Sequence, residues 1–379
     1  MKAQVDAIII TDQPPFVNDG VGDYSHNLMN CLNSENLLVE TFCGNDKYAP
    51  HNLYHPFFRP WGIKSLIILY NVIRSKRPRW ILFQYVPYAY SKTGIPILIP
   101  FFLLIVRFSG IKIHTNFHEI SIRLWSGTVS GFFRAIGQRL TAYLICLFAN
   151  SIQTSNKYYA SLIYPFKTTI LPIPSNFELI YNTLQFDELS SLEKNDHHIL
   201  SSANRCNNYF FEVISLLFEL NPSFKLIIMG RATPSDLLFV ESKLAAYKLL
   251  HRVEILVNLP PEEYIKLFFQ STIYFQFESV NRNGEGGVSS KSGLMATALM
   301  VGTPIITTKG DLTDTNLFVD QLNVLFIPTT NSKLAIDAVN LLISNDKYRS
   351  RIKQNGKEMY YKKFSWVNTI KHIKSVLAA

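Results

Sequence analysis

A glycine-rich segment carrying serine hydroxyls and one lysine lies in the second half of the chain, between an apolar run and a helical pattern. Residues 284–293 read Gly-Glu-Gly-Gly-Val-Ser-Ser-Lys-Ser-Gly. At a strand-to-helix turn of this kind, backbone amides and the helix dipole attract an anion, and Lys291 would add a full positive charge. Because the G-x-x-x-x-G-K-[ST] spacing is absent, a P-loop nucleotidase is disfavoured. The segment predicts an anion site, with a flexible surface loop as the structural alternative.

Other side chains suited to chemistry also follow predicted strands. Arg205 comes just after the apolar run 199–203, and His118 and Glu119 come directly after the run 111–117. The carboxyl ends of parallel strands share one edge of a sheet, so we expect Arg205 at the same edge as Lys291. The structural alternatives are a solvated loop arginine and a capping histidine.

Glycines and aromatic residues mark two more predicted strand ends in the first half. Gly20 and Gly22 follow the first strand and precede a helical pattern, where the backbone can approach a phosphate or sugar closely. They do not form a G-x-G-x-x-G fingerprint, which disfavours a nicotinamide enzyme, and an ordinary tight turn is the alternative. The aromatic stretch 84–90 contains Tyr85 and Tyr88, which would either stack on a sugar or lipid or pack the domain.

No aspartate in the chain is followed two positions later by a second aspartate. A departing diphosphate must be stabilised either by a divalent metal held on carboxylates or by protein cations and helix dipoles. Only the second set of groups stands out in this sequence, so we expect no metal site.

Composition limits the class of protein. The 379 residues are 47% hydrophobic and 17% charged, which predicts about two domains and excludes a disordered or fibrous chain. The four cysteines show neither a C-x-x-C nor a Cys/His metal spacing, which suits a reducing compartment. The most apolar stretch, 95–106, is shorter than a bilayer-spanning helix of about 20 residues, and the first residues lack a signal-peptide pattern. We therefore expect a cytoplasmic protein.

Positive charge is concentrated in the first half. Residues 1–174 carry a net charge of +8, and the remainder carries +1. Such an excess favours an anionic lipid, a nucleic acid or another polyanion as partner, with a solvated basic face as the alternative. Together with the apolar helix predicted over 95–108, it fits peripheral contact with the inner face of an anionic membrane.

Short apolar runs alternate with helical patterns along the chain, as in parallel sheets covered by helices on both faces. Predicted strands are 5–10, 37–42, 80–85, 111–117 and 151–154, then 199–203, 225–229, 253–257, 272–277, 303–307 and 323–327. The pattern breaks near 172–175, before a polar stretch at 187–198. This predicts an α/β protein with two Rossmann-like doubly wound domains, 1–173 and 174–359, facing across a cleft. The helical segment 360–379 would cover its own domain or reach back across the cleft.

In their order and spacing, these motifs resemble the GT-B glycosyltransferases, in particular the retaining family four, which uses nucleotide-sugar donors. The resemblance covers nearly the whole chain through GVGDYSHNL, FQYVPYAY, NFHE, SIQTSNKYY with PIPSN, KLIIMG, VNLPPEEYIKLFFQS, GGVSSKSGLMATALMVGTPIITT and FSW. It implies an acceptor-binding first domain, a nucleotide-sugar-binding second domain, and a last helix that packs back toward the first.

The resemblance also implies roles for individual residues at matching positions. The catalytic candidates are His118, which would contact the transferred sugar near its reacting centre, and Glu285, which would take over a sugar contact. The donor candidates are Gly20, Gly22, Arg205, Gly230, Gly287, Val288, Ser289, Lys291, Ser292 and Thr297. The acceptor candidates are Tyr24, Tyr85 and Tyr88.

Two departures from the family pattern concern the donor. The usual pair of glutamates eight positions apart is replaced by Ser289 and Thr297, when the chain is aligned on residues 302–304. The usual lysine shortly after the arginine is missing after Arg205, and Lys291 would replace it. A divergent branch with serine followed by a basic residue resembles the sequence better. These departures leave the donor more open than the reaction type.

The implied reaction transfers a hexose, with glucose favoured, from a UDP-sugar to a hydroxyl of a glycan or lipid-linked glycan in cell-envelope or exopolysaccharide synthesis. Retention at the anomeric carbon and independence of metals and other cofactors are part of the resemblance. The alternatives are a UDP-sugar epimerase of the same fold and a catalytically silent nucleotide- or glycan-binding protein, the latter supported by the missing glutamates. A nucleic-acid binder would leave the glycine-rich segment unexplained, so no nucleic-acid partner is expected.

Overall fold

Two parallel sheets organise the chain in the computed structural model, which describes residues 5–15, 19–44, 54–56, 61–125, 127–184, 195–329 and 331–379. They belong to two compact units. The first contains Met1–Pro172 and Trp366–Ala379, and the second contains Ile173–Ser365. The polar stretch predicted at 187–198 lies partly outside the described residues.

The strands of the first unit all run parallel. They are β1 (Ala7–Thr11), β2 (Val39–Cys43), β3 (Tyr54–Pro56), β4 (Trp80–Tyr85), β5 (Lys112–Phe117), β6 (Ser151–Thr154) and β7 (Thr169–Ile170). Their order is β3-β2-β1-β4-β5-β6-β7. Continuous apolar sequence in β1 and β4 is buried on both sheet faces, which confirms the predicted parallel strands. The patterns do not predict β3 and β7, because two or three residues at a sheet edge carry little hydrophobic periodicity.

Helices of the first unit connect successive strands. They are α1 (Gly20–Ser34), α2 (Ile63–Lys76), α3 (Pro87–Tyr90), α4 (Leu98–Phe108), α5 (Val129–Phe148) and α6 (Lys157–Leu162). The hydroxyl of Thr128 caps α5 by accepting the amide of Gly131 at 3.0 Å. The predicted apolar stretch 95–106 forms most of α4. No helix in the described ranges is long and apolar enough to cross a membrane.

The second unit repeats the doubly wound plan. Its strands are β8 (Asn195–Ser202), β9 (Lys225–Gly230), β10 (Val253–Val257), β11 (Ser271–Gln276), β12 (Ile305–Thr308) and β13 (Leu325–Ile327). All are parallel, in the order β10-β9-β8-β11-β12-β13. The helices are α7 (Glu178–Tyr181), α8 (Asn208–Leu220), α9 (Pro234–Ala246), α10 (Pro261–Gln270), α11 (Gly293–Val301), α12 (Ser332–Ser344) and α13 (Asp346–Met359). The predicted α/β class and both Rossmann-like sheets are confirmed.

The end of the chain returns to the first unit, as the resemblance implies. Helix α14 (Trp366–Ala378) packs on α1, where the Trp366 ring lies 5.0 Å from that of Tyr24. The indole of Trp80 donates to the carbonyl of Leu377 at 3.2 Å. Each contact joins residues distant in sequence, and together they fix this helix in the first unit.

The predicted terminal helix starts later than the sequence pattern indicates. Tyr360–Phe364 form a π-helical turn that continues α13, and Ser365 then breaks the helix with an extended backbone. Tyr360 and Phe364 are completely buried in the core of the second unit. Their apolar side chains produce the helical pattern, but they serve a different core from that of α14.

Candidate functional site

Each sheet has one place where the direction of its crossovers reverses. In the first unit this place lies between β1 and β4, and in the second between β8 and β11. Loops that leave two such strands diverge to opposite faces of the sheet and open a crevice at the carboxyl edge, which is where ligands bind in doubly wound folds. Residues that bind a ligand are therefore expected at these two edges.

At the edge of the second unit, four side chains form a connected polar network. Arg205, just after β8, places Nε 2.8 Å from Oε1 of Glu278, which follows β11. The amide of Gln276 donates to the same carboxylate oxygen at 2.8 Å and to Oγ of Ser292 at 3.0 Å. The network joins Arg205 to the start of α11, so the structure brings together two residues that sequence analysis assigned to one anion site.

Helix α11 presents its amino-terminal end to this network. Ser292 is the N-cap and accepts the amide of Met295 at 3.2 Å. The first amides of a helix, here those of Gly293 and Leu294, have no intrahelical acceptor and carry the positive end of the dipole. Lys291 is half-buried beside the cap, and its amide donates to Oγ of Ser289. This end of α11 combines a neutral cap, a lysine and a nearby arginine, a set suited to a diphosphate.

The glycine-rich segment before α11 is shaped by close backbone approach. A Cβ on Gly286 would lie 1.9 Å from the carbonyl oxygen of Ser279, and Gly286 has a φ of +119°. The amide of Gly287 donates to that same carbonyl at 3.2 Å, and the amide of Val288 donates to Thr308 at 3.0 Å. These two amides are thus engaged within the protein, which corrects the expectation that they would face an anion. The amides at the start of α11 are therefore the better candidates for an anion in this unit.

Three other residues predicted to bind the sugar donor lie near this edge and differ in position and burial. Gly230 ends β9 with a φ of +106°. Ser289 is buried just before the cap. Thr297, one turn into α11, is completely buried, and its hydroxyl lies 2.8 Å from that of Ser175. The Thr297 side chain therefore stabilises the interior of the second unit, a role the sequence pattern did not indicate.

The catalytic candidate Glu285 lies in the glycine-rich segment. It is half-buried, and its carboxylate accepts the side-chain amide of Asn281 at 2.6 Å. Its backbone amide donates to the side chain of the same Asn281. The two residues thus close a local turn, which holds the carboxylate at the rim of the loop.

At the edge of the first unit, a cavity of ≈ 270 Å³ opens between β1 and β4. Its lining is polar and partly acidic and includes Asp12, Asp19 and Gln84. Asp12 is buried and accepts the indole N–H of Trp61 at 2.8 Å. Carboxylates and amides both hydrogen-bond sugar hydroxyls, and the carboxylates repel phosphate, so this cavity suits a neutral polyol better than a diphosphate.

His118 lies directly beside this cavity. It follows β5, is buried, and places Nε2 2.8 Å from Oε1 of Gln84, which lines the cavity. The amide of Asn116 also donates to Oε1 of Gln84 at 3.2 Å, which identifies that atom as the acceptor. Nε2 of His118 also lies 3.2 Å from the side-chain amide nitrogen of Asn116, so the three side chains form one cluster of polar contacts. Tyr24 packs its ring edge-on against the imidazole, with centroids 5.0 Å apart, and fixes its plane.

Gly20 and Gly22 lie in the first turn of α1, which begins four residues before the helical pattern that the sequence shows over 24–32. The carboxylate of Asp19 accepts the amide of Gly22 at 2.8 Å. A Cβ on Gly22 would come within 2.5 Å of the carbonyl oxygen of Pro14. Gly22 thus allows helix and loop to touch, and a carboxylate already holds its amide. This corrects the expectation of a phosphate contact there.

The three acceptor candidates differ in exposure. Tyr24 and Tyr85 are buried, and burial raises the pKa of both phenols well above the ordinary value. Tyr85 belongs to the apolar core of the first unit, which is the packing alternative stated above. Tyr88, on α3, is exposed and is the tyrosine of this set that an acceptor could reach.

Sequence analysis overlooked several residues of both edges. They are Glu278 and Gln276 in the second unit, and Asp12, Asp19 and Gln84 in the first. A usable signal was present, because each except Asp19 lies at or just after the carboxyl end of a predicted strand. Among the described residues, no group of three His, Cys, Asp or Glu side chains is arranged to hold a metal ion.

Comparison with known proteins agrees with the fold described above. Residues 192–359 match the family model described as glycosyl transferases group 1. No curated protein sequence matches the chain. Among solved structures, a sucrose-phosphate synthase from Thermosynechococcus elongatus matches with a TM-score of 0.73 at 13% identity, over 98% of each chain.

Two further solved structures are similar along their whole length. Alr3699/HepE from Anabaena, in complex with UDP and glucose, has a TM-score of 0.71 at 12% identity, over 98% of this chain and 99% of that one. An alpha-glucosyltransferase in complex with UDP and a 13-mer DNA has a TM-score of 0.65 at 12% identity, over 100% of both chains. At such identities the likeness establishes the fold, and the family model establishes the lineage of the second unit. The chain thus has the GT-B fold, and residues 192–359 of its second unit match the group 1 glycosyltransferase family.

Proposed function

We propose that the protein is a retaining hexosyltransferase that moves a sugar, with glucose favoured, from a UDP-sugar to a hydroxyl of a glycan or lipid-linked glycan. The observation that carries the proposal is the network of Arg205, Glu278, Gln276 and Ser292 at the start of α11. It offers a diphosphate two kinds of positive group, a side-chain cation and a helix terminus. We assign the reaction to cell-envelope or exopolysaccharide synthesis in the cytoplasm.

The second unit binds the donor in this proposal. Arg205 and Lys291 take the diphosphate, and the first amides of α11 point at the same oxygens. These groups favour the leaving group more strongly as its charge develops, so they lower the barrier rather than only tighten donor binding. Ser289, Gly287 and Glu285 contact the sugar hydroxyls.

The first unit contributes the sugar-facing histidine and the acceptor. As the bond between the anomeric carbon and the diphosphate oxygen breaks, the sugar becomes positively charged, and His118 contacts it near that carbon. The acceptor hydroxyl forms the new bond on the face that the diphosphate leaves, which retains the configuration. Its proton passes to the departing diphosphate oxygen, so the charges balance without a metal or another cofactor. The polar cavity beside Gln84 and the exposed Tyr88 bind the acceptor.

A thermal-shift screen of nucleotides and nucleotide sugars tests the donor assignment. A ligand that binds only the folded protein raises its melting temperature by mass action. We expect UDP and UDP-glucose to raise it, and adenine or guanine nucleotides to have a smaller effect. A protein that responds to none of the nucleotides would contradict the proposal.

Product analysis separates transfer from its two rivals. Formation of free UDP together with a glycosylated acceptor supports the transferase. Conversion of one UDP-hexose into another without an acceptor would identify an epimerase. UDP binding without turnover over a panel of donors and acceptors would identify a silent binding protein, which Ser289 and Thr297 at the usual glutamate positions favour.

A further inference from the structure

We propose that the first unit docks on an anionic lipid bilayer through a face formed by α4, α5 and the segment before α5, here called the apolar face. The proposal concerns a surface of the first unit, whereas the anion site belongs to the second unit. It goes beyond the transfer reaction proposed above and does not depend on which sugar is transferred.

Helix α5 carries an exposed apolar stripe along its full length. The exposed side chains recur every three or four residues, at Val129, Phe133, Ile136, Leu140, Tyr143 and Leu147. The opposite face is buried against the unit and includes Ala135, Ala142 and Ile145. A surface helix of a globular protein normally places polar residues where this stripe lies. The helix is therefore apolar on a face that no described residue of its own unit covers.

Helix α4 extends this stripe into a wider face. Its exposed residues are Leu98, Phe101, Ile105 and Phe108, again at spacings of three and four. The guanidinium of Arg107 donates to the carbonyl of Phe148 at 2.8 Å, so the carboxyl ends of α4 and α5 lie together. Ile95, just before α4, lies against Gly137 in the middle of α5. The two helices run side by side in the same direction, and their exposed apolar residues form one face.

The segment leading into α5 adds an aromatic anchor. Trp125 is 68% exposed, and its ring lies 6.3 Å from that of Phe132 in the first turn of α5. Tryptophan favours the boundary between headgroups and acyl chains, because its ring is apolar and its N–H is polar.

The positive charge of α4, α5 and the surrounding sequence favours an anionic lipid bilayer as the partner of the apolar face. Helices α4 and α5 contain Arg107, Arg134 and Arg139 and no acidic residue. Over residues 47–177, fifteen lysines and arginines stand against a single acid, Glu119. Each basic residue near an anionic membrane adds attraction, and the apolar side chains add insertion into the interface. Two copies of so basic a face would repel each other, and a nucleic acid would leave the phenylalanines and leucines uncovered.

Vesicle binding tests the proposal with the full-length protein. We expect flotation with vesicles of phosphatidylcholine and phosphatidylglycerol, much weaker binding to phosphatidylcholine alone, and loss of binding as salt is raised. Intrinsic fluorescence gives a local readout, because Trp125 is exposed while Trp61, Trp80 and Trp366 are buried. Anionic vesicles should therefore shift the emission to the blue, and Trp125→Phe should remove the shift while leaving binding largely intact.

A matched pair of double variants locates the contact. Phe101→Ser with Leu140→Ser removes side chains that are 55% and 59% exposed, and should weaken vesicle binding at least about tenfold. Leu220→Ser with Leu238→Ser removes equally apolar side chains of the second unit, each 68% exposed, and should leave binding unchanged. Both pairs lie on the surface, so both proteins should fold.

Four results would overturn the proposal. They are failure of the wild type to bind anionic vesicles, equal binding by the two double variants, a wild-type dimer that Phe101→Ser with Leu140→Ser converts to a monomer, and binding of duplex DNA in place of vesicles. The first double variant should keep the wild-type thermal response to UDP. A protein that binds vesicles but no nucleotide would refute the proposed transferase and leave the apolar face standing, so the two failures are distinguishable.

Discussion

The two units share a strand plan but differ in the charge of the edge where ligands bind. Between β8 and β11, Arg205 and Lys291 stand beside the start of a helix. Between β1 and β4, Asp12 and Asp19 line a cavity next to His118. The doubly wound topology locates both edges, while the side chains decide which ligand each can take. In the proposed function, the diphosphate therefore occupies the second edge, and a neutral sugar or the acceptor occupies the first.

The N-cap side chains of α1 and α11 differ in charge in the same way as the two edges. Helix α1 is capped by the carboxylate of Asp19, which already supplies a negative group to the amide of Gly22. Helix α11 is capped by the hydroxyl of Ser292, which bonds the amide of Met295 and brings no charge. The positive end of the α1 dipole is therefore neutralised internally, whereas that of α11 remains for a ligand.

The largest expected effect is a loss of turnover caused by a substitution at the carboxyl edge of the first unit. This substitution should leave nucleotide binding unchanged. We expect His118→Ala to lower turnover by about a hundredfold or more, because a positioned polar group near the reacting carbon is lost from the transition state. The affinity for UDP, measured by calorimetry, should stay within about twofold. If the variant turns over as fast as the wild type, His118 takes no part in the reaction. If it loses as much UDP affinity as turnover, the nucleotide binds at the first edge rather than at the second.

At the second edge, by contrast, removing a positively charged side chain should weaken nucleotide binding. Arg205→Ala and Lys291→Ala should each weaken UDP binding by about tenfold to a hundredfold, since each removes a charge-assisted hydrogen bond of about 1.5–3 kcal/mol. Asp12→Asn in the first unit is the control and should leave UDP affinity unchanged. Unaltered affinity in both cation variants would rule out the start of α11 as the diphosphate site.

Exchanging the type of cap tests the contrast between α1 and α11 directly. Ser292→Asp keeps an N-cap of equal quality but places a carboxylate where the anion should bind. We expect melting temperature to be preserved and UDP affinity to fall by about tenfold, from repulsion of roughly 1 kcal/mol or more across a few ångströms. Ser292→Asn, a neutral cap of similar size, should bind UDP nearly as well as the wild type. Equal affinity in the Asp and Asn variants would show that the diphosphate lies elsewhere.

Much of the fold follows from local sequence. Runs such as 80–85 and 225–229 are apolar on both faces and mark parallel strands whatever surrounds them. The start of α1 was predicted too late, because glycines have low helix propensity and only the Asp19 cap and the contact with Pro14 make that turn helical. The terminal segment was read as one helix for a related reason. A helical pattern does not reveal which core each of its apolar residues joins.

The candidate site was predictable at the level of location rather than of contacts. Residues following strand ends were expected at one edge, and the network from Arg205 to Ser292 agrees with that expectation. The position of Glu278 after a predicted strand indicates that it lies at this edge, but no local pattern encodes its ion pair with Arg205, which follows another strand. The amides of Gly287 and Val288 were assigned to a ligand for the same reason, since their acceptors, Ser279 and Thr308, become neighbours only after folding.

The smallest expected effect is a change in UDP affinity when Glu278, the ion-pair partner of Arg205, loses its charge. With its guanidinium Nε 2.8 Å from a carboxylate, Arg205 offers a diphosphate less net charge than an arginine alone. Glu278→Gln keeps the size and the hydrogen-bonding capacity of the side chain but removes the charge, so UDP should bind about threefold to tenfold tighter in calorimetry. Adding Arg205→Ala should abolish the gain, because the carboxylate acts through the arginine. Weaker binding in Glu278→Gln alone would instead make the carboxylate a group that orients Arg205 for the ligand, and the second edge would then owe its affinity to geometry as much as to charge.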